Sequence, residues 1–246
     1  MTQDLFRQDA YLKDCDATVV SVGESGIVLD RTVFYPLGGG QAGDGGVLVL
    51  QDGRTLAIAD TRKAKDEQGR PTHDIWHVPS PGQGELLAGL REGQRVTARI
   101  DWNRRHRLMR FHTTTHLLCH LVPQLVNGCS ITPEYARLDF NMTDALDKEE
   151  LTEGIARLVA AGHPVAVGSI TDEELDASPA LVGSMSVQPP RGTGRIRTIR
   201  VGSQDLIDYQ PCGGTHVANT AEIGGVVVTK IEKKSATTRR VVLGFA

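Results

Sequence analysis

The sequence predicts an α+β protein, and three observations carry that expectation. Residues 1 to about 98 hold short apolar or alternating runs separated by Gly, Pro, Asp and Ser, the pattern of several short strands. At Asp101 this gives way to a glycine-free run with apolar residues at helical spacing. Beyond it, helical and strand-like segments mix, with the helices grouped early. A chain of 246 residues has room for one large domain or two of ordinary size. The expected division is 1–98 and 99–246.

In the first part, "ATVVSV", "GIVLDRTVFY", "GGVLVLQ", "RTLAIAD", "HDIWHV" and "QRVTARID" read as strands of a small barrel or sandwich. Hairpin turns fit "GESG" and "QDGR". The polar stretch "TRKAKDEQGRPT" is expected as an exposed loop. Next, "DWNRRHRLMRFHTTTHLLCHLVPQLV" reads as a helix with Asp101 as N-cap. Leu108, Phe111, Leu118, Leu121, Val122 and Leu125 form its apolar stripe, and Pro123 bends or ends it. "YARLDFNM" reads as a strand. "LDKEELTEGIARLVAAG" is a second helix, apolar at Leu151, Ile155, Leu158 and Val159 and stopped at Gly162. "PVAVGSI" is strand-like, and Thr171 with Glu174 makes a capping-box signature. "RIRTIRV", "IGGVVVTKIEKK" and "RRVVLGFA" complete the strands.

Bulk properties narrow the function. The composition is that of a soluble globular protein, and no apolar run approaches the roughly 20 residues that span a bilayer. The polar, acidic start lacks the basic and apolar regions of a signal peptide, so a cytoplasmic location is expected. In that compartment the four cysteines, at 15, 119, 129 and 212, are expected to serve as thiols, metal ligands or core residues rather than as a disulfide framework. A net charge of -3 argues against wholesale coating of nucleic acid but leaves room for a local basic surface.

The chemistry concentrates in two stretches. In "FHTTTHLLCH", His112, His116 and His120 stand one helical turn apart. Residues at i and i+4 share a helix face, so two such imidazoles can close on one metal ion. His112 with His116, and His116 with His120, are equally good pairs, and either can also be a solvated stripe. Zinc metalloproteases carry a Glu directly after the first His as general base; here that place is Thr113, which leaves the protease reading without its base. His106, six residues before His112, is expected to be exposed. The second stretch, "PCGGTH", separates Cys212 and His216 by two glycines and a threonine, a turn sharp enough to aim a thiolate and an imidazole at one point. A His pair plus Cys and His is a four-donor set for which zinc is the natural guest. A closed set of four is usual for structural zinc, whereas catalytic zinc keeps a place open.

"HTTTHLL" followed roughly a hundred residues later by "PCGGTH" resembles the editing domain of alanyl-tRNA synthetase and the related module of threonyl-tRNA synthetase. "FYPLGGGQAGDGG", residues 34 to 46, resembles the glycine-rich segment preceding that domain, and "RLDF", residues 137 to 140, a strand within it. The resemblance covers nearly the whole chain, which is too short for an aminoacylation core as well. It is therefore similar to freestanding alanyl-tRNA editing proteins of the AlaX type with an N-terminal barrel.

The resemblance implies a small β-barrel followed by an α+β editing domain of the threonyl/alanyl-tRNA synthetase type. It implies one Zn2+ per chain, held by His112, His116, Cys212 and His216, with no ligand role for His120. The activity it implies is hydrolysis, in trans, of the ester joining a wrong amino acid to tRNA(Ala), with serine the usual error and glycine another. An alanine pocket excludes a smaller glycine poorly and discriminates weakly against an added hydroxyl, so a second, differently selective site is needed.

A hydroxyl partner in that site would favour serine, and Thr115, Ser130 and Thr132 are the candidates. Thr115 and Gln41 are candidates for positioning the water or the substrate. Gly39, Gly40, Gln41 and Asp44 either approach the substrate end of the tRNA or form a tight turn between strands; a P-loop is excluded, since no Gly-Lys-Ser/Thr follows. Thr113 and Thr114 are expected to satisfy their hydroxyls on helix carbonyls. Phosphate contacts are expected from Arg104, Arg105, Arg107 and Arg110, from Arg191, Arg195, Arg197 and Arg200, and from Lys230, Lys233, Lys234, Arg239 and Arg240. Two rival readings are a metallohydrolase of another small ester or amide, and an RNA-binding module with structural zinc.

Overall fold

The computed structural model describes residues 1–178, 181 and 194–246. The chain is α+β and divides into two compact units, Met1–Gly38 with Ala42–His106, and Gly39–Gln41 with Arg107–Ala246. The division thus falls inside the long helix and assigns the tip of the glycine-rich segment to the second unit.

The first unit contains β1 (Gln3–Asp4), β2 (Asp14–Gly23), β3 (Gly26–Leu29), β4 (Arg31–Thr32), β5 (Gly46–Leu50), β6 (Thr55–Lys65), β7 (Pro71–Pro79), the short helix α1 (Gly84–Gly89) and β8 (Arg95–Ile100). Six strands close into a barrel in the order β2-β3-β7-β6-β5-β8, while β1 pairs in parallel with β4. Alternation fills the interior: on β8, Val96, Ala98 and Ile100 are buried while Arg95 and Arg99 face out. Val19, Ile27, Leu29, Phe34, Leu48, Leu56 and Ile58 pack with them into one core.

The stretch "TRKAKDEQGRPT" is not the expected loop. Strand β6 runs to Lys65 and β7 starts at Pro71, so only residues 66–70 turn. Asp66 Oδ1 closes the turn by accepting from the amides of Gln68 and Arg70. Thr61 and Ala64 point inward while Arg62, Lys63 and Lys65 are exposed, and a register shift between Lys63 and Lys65 breaks the simple alternation. The charged outer face and this irregularity hide the strand period.

The second unit is built around most of α2 (Trp102–Leu121), followed by β9 (Val126–Ile131), β10 (Ala136–Asn141), α3 (Lys148–Ala160), β11 (Val165–Ile170), α4 (Asp172–Asp176), β12 (Ile196–Val201), β13 (Asp208–Pro211), β14 (Val226–Ser235) and β15 (Thr238–Phe245). One antiparallel sheet has the order β14-β15-β10-β9 and a second the order β11-β12-β13. Helix α3 packs on β14, where Thr152 Oγ1 accepts from the Val228 amide at 3.1 Å.

Helix α2 starts as expected. The Asp101 carboxylate accepts from the Arg104 amide at 3.1 Å, and the helix ends before Pro123. It is not one-sided, however. Leu108, Met109, Phe111, Leu117 and Leu118 are fully buried, and His112 through His116 are buried too. A helix enclosed on all sides must find partners for every polar side chain it carries. Leu125 lies beyond the helix and is 45% exposed. Strands β9 and β13 are additions to the expected elements. The first contains Gly128 and polar residues that mask its apolar pattern, and the second is four residues long. Among the described residues no helix is long and apolar enough to cross a membrane.

Candidate metal centre

His112 and His116 project from one face of α2, and the turn after β13 delivers Cys212 and His216 to the same point. One potential ligand atom from each of the four lies within 4.8 Å of the others. Cys212 Sγ is 3.4 Å from His112 Nε2 and 3.3 Å from His216 Nε2. The His112 and His216 rings are 4.3 Å apart, and those of His116 and His216 are 4.6 Å apart. Soft sulfur with three imidazoles is a donor set that fits zinc. His120 is exposed and stands outside the cluster.

Each imidazole is gripped at its other nitrogen. Nδ1 of His112 is 2.7 Å from Gln41 Oε1, and that oxygen also accepts from the Thr215 amide at 3.1 Å. An oxygen serving an amide N–H is an acceptor, so His112 donates from Nδ1 and turns Nε2 toward Cys212. Nδ1 of His116 is 2.6 Å from Asp208 Oδ2. Nδ1 of His216 is 3.2 Å from Thr113 Oγ1, which also accepts from the Val217 amide at 3.3 Å.

The members of the cluster shift one another's protonation in different directions. Burial alone would raise the Cys212 thiol, but the neighbouring His112 and His216 imidazoles hold it well below its ordinary value, toward the thiolate that binds metals. Burial, helped by His112, keeps His216 well below its ordinary value and hence neutral. Burial also opposes charge on His116, yet Asp208 overrides it and raises the imidazole to about 10, so without an ion this ring holds a proton that a metal has to displace.

Two glycines make the approach feasible. A Cβ on Gly214 would collide with the His112 ring and come within 2.9 Å of Gln41 Oε1. Gly40, at φ 83°, adopts a conformation that L side chains rarely take, and a Cβ there would lie 2.7 Å from Cys129 Sγ. This tight passage carries the backbone past β9, where the Ile131 amide donates to the Gly40 carbonyl at 2.7 Å and Gln41 bridges Ile131. Arg197 fastens the other side by donating to the carbonyls of Cys212 at 2.6 Å and Gly214 at 3.0 Å.

The remaining sequence candidates fall in varied places. Gln41 is fully buried, with its amide nitrogen 2.9 Å from Thr215 Oγ1 and its oxygen on His112 and Thr215. Gly39 is exposed at the turn. Asp44 is fully enclosed; it accepts from the Tyr35 amide at 2.6 Å and from the Arg105 guanidinium, whose own side chain is also fully buried. Thr115 donates to the His112 carbonyl at 2.7 Å and Thr114 to the Arg110 carbonyl at 2.8 Å. Thr113 departs from the helix-carbonyl expectation and serves His216 instead. Thr132 caps its own turn on Tyr135, and Ser130 is half-buried on β9.

Several basic residues expected at phosphates are occupied internally. Arg105 also donates to the carbonyls of Ala10 and Val33. Arg107 and Arg110 lie over the Phe245 ring, each 4.2 Å from its centroid. Arg239 is buried and donates to the carbonyls of Thr143 and Asp144, and Arg240 pairs with Asp139. Arg104 holds the Gly43 carbonyl, Arg195 reaches Ser169, and Arg200 reaches Gly202 and Ser203. Lys230, Lys233 and Lys234 are exposed on β14. Arg191 lies outside the described residues. His106 is stacked on Trp102, 5.4 Å between centroids, rather than standing free. Asp208, Gln210 and Arg197, which organise the cluster, carry no chemical signature in "RIRTIRV" or "DYQP"; the one available hint is an acid four residues before the cysteine.

The sequence is similar to known proteins over nearly its whole length. Residues 196–242 match the family described as threonyl and alanyl tRNA synthetase second additional domain, and residues 8–104 match class II (A) tRNA synthetases. The alanyl-tRNA editing protein AlaX-M of Saccharolobus solfataricus is 32% identical over 245 residues, covering 98% of this chain and 98% of that protein. Its counterpart in Methanosarcina acetivorans is 31% identical, covering 98% and 97%. The alanine–tRNA ligase of Metallosphaera sedula is 36% identical over 94% of this chain, which corresponds to 25% of the ligase. Matched end to end by proteins of one kind, the chain belongs to the AlaX-M family of alanyl-tRNA editing proteins.

Proposed function

We propose that this protein deacylates mischarged tRNA(Ala) in trans, with Ser-tRNA(Ala) as its main substrate and Gly-tRNA(Ala) as a second. The observation that carries the reading is the convergence of His112, His116, Cys212 and His216 in a chain matched end to end by alanyl-tRNA editing proteins. These four residues hold Zn2+ in this reading. Bound there, the ion supplies positive charge for polarising an ester carbonyl or a water.

The chain's own residues do the rest. Gln41 and Thr113 keep the His112 and His216 rings turned inward, and Arg197 fixes the turn that carries Cys212. Residues 1–98 act as the barrel domain and residues 99–246 as the editing domain. Gly39 and Gly40 let backbone approach the aminoacyl end of the tRNA. Gln41 and Asp44 act from inside, through His112 and through Arg105. For serine selection, the seryl hydroxyl needs a partner that alanine would leave unpaired. Ser130 suits this role better than Thr115 or Thr132, whose hydroxyls are already engaged.

The test is hydrolysis of Ser-, Gly- and Ala-tRNA(Ala) by zinc-loaded and chelator-stripped protein. Rapid loss of the seryl ester, slower loss of the glycyl ester, sparing of the alanyl ester and dependence on zinc support the reading. Tight tRNA binding without hydrolysis would instead make the cluster structural, and hydrolysis that survives complete metal removal would separate the chemistry from the cluster.

A further inference from the structure

The three histidines have outer partners of unequal charge. Gln41 and Thr113 are neutral, but the partner of His116 is a carboxylate, with Asp208 Oδ2 2.6 Å from Nδ1. Asp208 opens β13, the strand that leads directly into Cys212. Residues two apart on a strand face one side, and Gln210 accordingly lies beside Asp208. Its Nε2 donates to the same Oδ2 at 3.1 Å. The carboxylate is therefore fixed from within its own strand, and its side chain is only 14% exposed.

Charge balance gives this contact its meaning. A dication held by three neutral imidazoles and the Cys212 thiolate leaves one positive charge in a buried place, and such a charge is costly without a partner. The Arg197 guanidinium on the Cys212 carbonyl adds to the positive side. Asp208 is the carboxylate joined directly to a ligand ring. A carboxylate on the outer nitrogen of a metal-bound histidine also fixes the tautomer and strengthens the ring as a donor.

The geometry points to Asp208 as the charged positioning residue of this centre: through His116 it holds the metal in place, and Gln210 steadies it. This assignment rests on the reading that His112, His116, Cys212 and His216 bind the ion.

The experiment measures the Zn2+ dissociation constant by chelator competition for the wild type, Asp208→Asn, Asp208→Ala, Gln210→Leu and Cys212→Ala. Asparagine can still present an oxygen to Nδ1–H but carries no charge. Asp208→Asn should weaken zinc binding on the order of 10- to 100-fold. Its cobalt form should keep the thiolate-to-metal absorption of Cys212, and its metal-free unfolding midpoint should match the wild type. Asp208→Ala should weaken binding further, and Gln210→Leu should weaken it less. Wild-type affinity in Asp208→Asn overturns the charge assignment even if Cys212→Ala loses zinc. If Asp208→Asn does not fold, unchanged affinity in Gln210→Leu overturns it. Should Cys212→Ala keep wild-type affinity, the ligand set itself is wrong and the assignment falls with it.

Discussion

Gln41 Oε1 lies 2.7 Å from His112 Nδ1, so a residue of the glycine-rich segment orients a member of the histidine cluster from a fully buried position. In Gln41→Ala the His112 ring and the Thr215 amide both lose their acceptor. A buried donor left unpaired costs about 1–3 kcal/mol, and loss of an outer partner typically weakens metal binding on the order of 10- to 100-fold. Chelator competition on the variant should show that loss, together with a lower unfolding free energy in urea. Wild-type zinc affinity would mean that His112 is held by other contacts.

Gly214 should tolerate no side chain. A Cβ there meets the His112 ring, and relieving such overpacking costs about 1–3 kcal/mol. Gly214→Ala should therefore bind zinc roughly 5- to 150-fold more weakly, while far-ultraviolet circular dichroism stays that of the wild type. Gly213, which is exposed in the same turn, should accept alanine with little effect on zinc content.

The Arg105–Asp44 pair should govern stability rather than RNA affinity. Both side chains are fully buried and joined by more than one hydrogen bond. Removing one partner of such a pair costs about 3–5 kcal/mol, whereas replacing both with apolar residues is often close to neutral. Urea unfolding should place Arg105→Met well below the wild type and the double variant Arg105→Met, Asp44→Leu between them.

His77 should make the barrel acid-sensitive. Its ring is fully buried, between the Thr32 hydroxyl at 2.7 Å and the Ile27 carbonyl at 3.0 Å, and burial pushes it down to about 4. The unfolded chain takes up a proton near pH 6.5 that the folded chain refuses until about pH 4. The stabilisation is complete above 6.5 and is lost as pH falls toward 4, amounting to about 3 kcal/mol over that window. Comparing wild type with His77→Gln cancels the other titrating groups. Between pH 7 and 4.5 the wild type should lose about 2.4 kcal/mol more unfolding free energy than the variant.

Some of this was legible in the residues and some was not. The helical spacing of His112, His116 and His120 and the compact "CGGTH" turn point to a metal cluster because ligand chemistry constrains residue type and spacing together, but the choice of the His112–His116 pair over His116–His120 comes from the family resemblance. Asp101 and Pro123 mark the limits of α2 because capping and a missing amide are local effects. Asp208 escapes notice because an aspartate at the head of a four-residue strand has no distinctive neighbours; only folding brings it to His116. Arg105 and Arg239 mislead for the opposite reason. Arginine is usually exposed, and nothing nearby in sequence reveals that Asp44, in one case, and the carbonyls of Thr143 and Asp144, in the other, enclose them. The outer face of β6 is charged enough to pass for a loop.

The most direct test of the account is X-ray absorption at the zinc edge of the loaded protein. One sulfur at about 2.3 Å with nitrogen neighbours at about 2.0 Å, and loss of the sulfur shell in Cys212→Ala, is the predicted result. A zinc shell made only of nitrogen and oxygen in the wild type would contradict it.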